Sequence, residues 1–122
     1  MANVNNQIAL GFLIGTKTED YAWNSSTYEP AKSFIDADGL VTLHGIARVV
    51  GGVSLVPGDI LAEVDEEHRP AKQSVHVAVA NNGLIRVHVQ PDGKVIYDSL
   101  TGSPSSVDKF VSLNGIAFLS AN

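Results

Sequence analysis

The sequence predicts an all-β domain, an antiparallel β-barrel or sandwich, and three observations carry that prediction. Apolar and polar residues alternate with a period of two through residues 74–98, the mark of strands with one buried face. The groups Asn81-Asn82-Gly83 and Pro91-Asp92-Gly93 divide that stretch at short intervals with residues that suit tight turns. No segment shows a sustained apolar stripe at helical spacing; at most, single helical turns are expected after Pro30 and Pro104.

Residues 8–14 read as a first strand, and residues 16–30, the longest polar segment, as a loop. Asp36-Ala37-Asp38-Gly39 imitates the opening of a calcium loop, but the later ligands and closing Glu are missing, so a turn is expected. Residues 40–50 form a strand with Val41, Leu43, Ala47 and Val49 on one face and Thr42, His44, Ile46 and Arg48 on the other. A short strand at 59–64 follows Pro57-Gly58, and residues 65–72 are a charged loop. Residues 74–98 form a three-stranded meander. Making the valine faces coincide places three residues, 81–83, in the first loop. Val79 then opposes Ile85, Val77 opposes Val87 and His76 opposes His88. The second turn sets Val89 against Val95, Val87 against Tyr97 and Arg86 against Asp98. Residues 110–119 are apolar on both faces, which suggests a central strand or a subunit interface. Leu43-His44-Gly45-Ile46-Ala47 is echoed by Leu113-Asn114-Gly115-Ile116-Ala117, as if two strands used equivalent glycines for a bulge or close approach.

With 122 residues, 44% of them apolar, the chain is expected to be one β-domain spanning residues 1–122. Eight Lys and Arg against thirteen Asp and Glu give a net charge of −5, which argues against non-specific binding to nucleic acid or anionic membrane. The absence of cysteine excludes disulfides, thiolate metal sites and cysteine nucleophiles. The longest apolar run, at 8–15, is too short to insert across a bilayer and has no basic flank, so no secretory leader is expected. No cofactor or phosphate-loop signature is present, and no spacing singles out a catalytic triad or carboxylate pair.

The order of the strand and turn motifs carries a resemblance. Gly39-Leu40-Val41-Thr42-Leu43-His44-Gly45 is followed by Arg48, Gly51-Gly52 and Pro57-Gly58-Asp59-Ile60-Leu61-Ala62. Then come His68-Arg69-Pro70-Ala71-Lys72, Gln90-Pro91-Asp92-Gly93-Lys94-Val95 and Val111-Ser112-Leu113-Asn114-Gly115-Ile116-Ala117-Phe118. Over residues 39–119 this resembles the C-terminal head, or tip, domains of bacteriophage tail-fibre and receptor-binding proteins, including those of lactococcal-type phages. Residues 1–38, an N-terminal strand and polar loop, lie outside the match. The resemblance implies a homotrimeric β-domain at the virion tail tip, an extracellular position. It would bind host cell-wall saccharide without cleaving it, beside other tail or baseplate proteins. A structural assembly module of the baseplate or fibre is the alternative. Within the resemblance, the residues 64–70 replace a run that usually holds an aromatic where His68 stands, which makes His68 a candidate ligand contact.

The remaining candidates come from the residues themselves. Trp23 sits among Tyr21, Tyr28, Asn24 and Asp20 in the polar loop, the mixture of aromatic faces and hydrogen-bonding groups that suits a sugar; the alternative is a Trp23 that plugs the core. His76 and His88, on opposed strand positions, would lie about 5 Å apart at Cβ. That spacing would admit one metal ion, but further ligands are missing, and a solvated polar face is the plainer reading. Arg86 and Asp98 fit a cross-strand ion pair, or a pair that orients a sugar hydroxyl.

Overall fold

The alternation expected over residues 40–50 is realised. Val41, Leu43, Ala47 and Val49 are buried, and Thr42, His44, Ile46 and Arg48 are half-exposed. Halfway along, however, the chain changes sheets. In the computed structural model, which describes residues 6–12, 17–21, 30–81, 83–100, 107 and 109–121, with the side chains of 99 and 100 excepted, this run is two strands. They are β4 (Leu40–His44) and β5 (Ile46–Val49), hinged at Gly45. Gly45 has φ +108°, and a β-carbon there would lie 2.4 Å from the Ala31 Cα, so a side chain fits neither the dihedral nor the space.

The echoing segment makes the same passage in the opposite direction. It links β10 (Phe110–Ser112) to β11 (Ala117–Leu119), and the two corners are bonded together. The Leu43 amide donates to the Ile116 carbonyl at 2.8 Å, the Leu113 amide to the Gly45 carbonyl at 2.9 Å, and the Gly45 amide to Asn114 Oδ1 at 2.8 Å. The run at 110–119 is thus two short strands around a turn rather than one strand, with Val111, Leu113, Ile116 and Phe118 all inside.

The other strands are β1 (Gln7–Ala9), β2 (Thr18–Asp20), β3 (Lys32–Ile35), β6 (Ile60–Glu63), β7 (Ser74–Ala80), β8 (Gly83–Val89) and β9 (Lys94–Leu100). One sheet has the order β1-β3-β4-β11 and the other β2-β5-β10-β7-β8-β9-β6, with every neighbouring pair antiparallel. The seven-stranded sheet curls until its edge strands meet: Thr18 Oγ1 donates to the Leu61 carbonyl at 2.6 Å, and Lys17 pairs with Asp59 at 2.9 Å. The result is an all-β, nearly closed antiparallel barrel with a second sheet, and no α-helix occurs among the described residues. Tyr97, Leu43, Leu55, Leu61 and Leu113 are fully buried in its core.

Two local expectations are corrected, and a third is not tested. After Pro30 comes not a helical turn but β3, which gains a ladder on both sides from β1 and β4. The polar segment at 16–30 contains β2, because Thr18 faces inward at the barrel seam while Glu19 lies beside Arg48 on the outside. The helical turn expected after Pro104 falls outside the described residues.

The largest correction concerns the meander. Its three strands stand where expected, and Val89↔Val95 and Val87↔Tyr97 pair as expected. β7, however, is turned over. Ala80 pairs with Gly83, which leaves two residues rather than three between the paired positions, so His76 opposes Val87, Ala78 opposes Ile85 and Val79 opposes Leu84. Ser74, His76, Ala78 and Ala80 face inward, and Val75, Val77 and Val79 face outward. The small residues of β7 complement the large ones elsewhere inside the barrel, as interiors of small barrels require. Arg86 lies opposite Ser99 rather than Asp98, because Asp98 is the extra residue of a bulge in β9.

Candidate functional site

The inversion of β7 dissolves one candidate site and exposes another. His76 points to the inner side and His88 to the outer, so the two imidazoles do not form a pair. Among the described residues no cluster of three or more metal-ligating side chains exists. Each histidine instead leads to the same place, the chain segment just before β7.

That segment, Pro70 to Ser74, forms one wall of an open groove of about 530 Å³, and β11 with Ser120 forms the other. The groove falls within the usual range for ligand sites, roughly 300–1,000 Å³. Its surface is mainly apolar: Pro70, Ala71, Ala117, Phe118 and Leu119 supply carbon, and Leu119 is two-thirds exposed. Gln73, Ser74 and Ser120 supply neutral hydrogen-bonding groups, and Lys72 is the one formal charge among the described residues of the walls.

The polar side chains are held from behind. The Ser74 hydroxyl lies 2.7 Å from His76 Nε2, and the His76 ring packs 6.5 Å from the Phe118 ring, at a tilt of 56°. Burial pushes the His76 pKa below its ordinary 6.5, which keeps the ring neutral and able to accept the hydroxyl proton. Gln73 Nε2 lies 2.7 Å from His88 Nδ1. With the amide donating there, the ring's other nitrogen carries hydrogen and faces Asp98 Oδ2 at 3.6 Å. Asp98 in turn accepts from Arg86 Nε at 2.5 Å. Four of the residues singled out from sequence, His76, His88, Arg86 and Asp98, therefore radiate from Gln73 and Ser74.

The loop before the groove is clamped. His68 is completely buried, with Nδ1 2.6 Å from the Ser33 hydroxyl. Arg69 Nε donates to the Val64 carbonyl at 2.9 Å, and its Nη2 bonds Glu63 at 3.1 Å. The Ala121 amide donates to the Arg69 carbonyl at 2.8 Å, and Pro70 bridges to Ser120, so both walls are tied at their ends. His68 is therefore not on the surface of the groove.

Of the candidates in the aromatic loop, Asp20 and Tyr21 do not line this groove. Asp20 lies on β2, separated from β7 by β5 and β10, and its Oδ2 accepts from the Ala31 amide at 3.0 Å. Tyr21 is half-buried beside it, and Trp23, Asn24 and Tyr28 lie outside the described residues. Gln73, Ser74, Phe118 and Leu119 were not expected as wall residues; the two-faced apolarity of 110–119 was the one visible signal, and it covered only Phe118 and Leu119.

Chemically, the apolar lining can accept the C–H face of a ring, and the amide and hydroxyl groups beside it can exchange hydrogen bonds with ligand hydroxyls. Among the described residues that line it, none is a carboxylate.

No protein-family profile matches the chain, and no curated protein sequence matches it. Among solved structures, the fold is similar to the crystal structure of the receptor binding protein gp15 of Listeria phage PSA. The TM-score is 0.63 at 16% identity, over 95% of this chain. The chain spans 65% of the length of that protein. At this identity the likeness is one of fold alone.

Proposed function

We propose that this chain is a phage receptor-binding tip, located at the virion tail, that recognises host cell-surface saccharide without cleaving it. The observation that carries the reading is the groove between Pro70–Ser74 and Ala117–Ser120: mainly apolar, fringed by positioned Gln and Ser, and without a carboxylate among the described residues that line it. Retaining and inverting glycosidases ordinarily need a pair of carboxyl groups across the scissile bond, so a lining without them suits adhesion better than hydrolysis. The likeness of fold to a phage receptor-binding protein supports the same reading. In this reading the chain works as a homotrimer among other tail proteins, because one shallow sugar site binds weakly and repeated copies multiply its hold.

Titration calorimetry or a glycan array with purified host-wall saccharide tests the site. Ala71→Trp puts an indole into the groove from an exposed wall position and is expected to weaken binding at least about tenfold, or ~1.4 kcal/mol, with unchanged circular dichroism. Equal binding by wild type and variant would move the site elsewhere. Absence of any saccharide binding, with tight association to another virion protein, would favour the assembly-module alternative.

A further inference from the structure

We infer that the outward face of β7 is the surface through which copies of this chain pack together. The inference deepens the homotrimeric reading above, on which it rests, by naming the face.

Val75, Val77 and Val79 are 57%, 69% and 54% exposed, and Leu84, directly opposite Val79, is 48% exposed. They form a continuous stripe in the middle of the seven-stranded sheet, not at its edge. Ser112 and Ile46 continue the Val79 row across β10 and β5, and half-buried Phe110 lies on the same face. Four aliphatic side chains exposed to this degree present on the order of 400 Å² of carbon, as much as the largest patch an ordinary monomer leaves in water. That is about half of the roughly 800 Å² per partner of a standard interface, and the flanking residues extend it.

The occupant is a second copy rather than an unlike partner because of how charge is distributed. The chain carries a net −5, so most approaches of two copies are repulsive. This face is an exception. The stripe itself is uncharged, and each border carries one cation matched by one anion of the same chain: Arg86 with Asp98 on the β8–β9 side, Arg48 with Glu19 on the β5–β2 side. Apolar contact needs no complementary partner chemistry, so the stripe can satisfy its own copies about a shared axis. β7 begins at Ser74, so the packing would also fix the grooves of all copies at one end of the assembly.

The test is sedimentation of the full 122-residue chain beside Val77→Glu and a control, Val53→Glu, which adds the same charge at an exposed valine off the stripe. Circular dichroism and a thermal melt establish folding, which Val77→Glu should keep because its side chain lies in solvent. Wild type and Val53→Glu are expected at three times the chain's 12.9 kDa, with folded Val77→Glu at 12.9 kDa. If Val77→Glu stays trimeric, copies meet through another face: this inference falls and the homotrimer stands. A wild type that is monomeric at every concentration overturns both. Should that monomer bind another tail protein and lose it through Val77→Glu, the stripe's occupant is that protein, and the second-copy assignment is refuted.

Discussion

His76 stands between two functions, one half of its environment belonging to the core and the other to the groove. Its Nε2 meets the Ser74 hydroxyl on the wall, while its ring lies against Phe118. Because burial lowers its pKa, the folded chain binds fewer protons at this position than the unfolded chain does below about pH 6.5. The stabilisation tied to the neutral ring is therefore whole above that value and is lost as pH falls through it toward the folded-state pKa. Urea unfolding of wild type and His76→Gln, from about pH 7.5 down to about pH 5, should show a steeper loss of stability in the wild type. Parallel pH profiles would mean that the ring titrates as it does in water. His68, by contrast, lies wholly inside against Ser33 and acts as a prop for the 64–70 loop. Two histidines that look alike in sequence thus differ in their surroundings: one backs the groove wall through Ser74, and the other is wholly buried against Ser33.

At the scale of elements, β7 makes the sharpest statement. Its inner positions are Ala78 and Ala80, and its outer positions are valines, the reverse of what alternation alone suggests. The observed register gives opposite consequences for adjacent residues. Ala78→Val adds two methyl groups to a packed interior and should cost about 1–3 kcal/mol. Val77→Ala removes methyl groups from the outward face, which is in solvent when the chain is alone, and the single chain should stay within about 0.5 kcal/mol of wild type. Denaturation midpoints of the two variants, each measured at dilutions where the chain is monomeric, decide it, and a larger loss from Val77→Ala there would restore the opposite register. The contrast also shows which information is local. The meander, the Asp36–Gly39 turn and the buried face of 40–50 are written in neighbouring residues, as period-two patterns and turn chemistry, so they could be read directly. The facing of β7 depends on a choice between two- and three-residue loops and on the bulk contributed by Tyr97 and leucines far along the chain. Nothing in 74–80 records either. The groove was hidden for a similar reason: its walls, 70–74 and 117–120, lie more than forty positions apart and meet only because β11 joins the β4 sheet while β10 joins the barrel. The apolarity of 110–119 suggested a central strand or an interface; β10 lies between β5 and β7 inside the seven-stranded sheet, Ile116 is 2% exposed, and the exposed carbon lies on β7.

For the whole molecule, the proposed saccharide site and the proposed trimer together would make adhesion a property of the assembly. On that proposal a groove this open would hold a sugar through few contacts, so the affinity of one site should be modest and independent of the neighbouring copies. Linking sites on one rigid tip turns the second and third contacts into intramolecular events, and avidity can then exceed single-site affinity by about 10²–10⁴. The two affinities should therefore separate in Val77→Glu. Its dissociation constant for a short soluble oligosaccharide should match that of wild type, because the groove at Pro70–Ser74 and Ala117–Ser120 is untouched. Its hold on intact cell wall, where many sugars are presented together, should drop by about 10²–10⁴. Ala71→Trp should show the complementary pattern, losing the oligosaccharide while keeping the oligomer. If Val77→Glu loses oligosaccharide and wall in equal proportion, the stripe contributes to the sugar site itself; if it keeps both, one groove suffices and multivalency is not how this tip adheres.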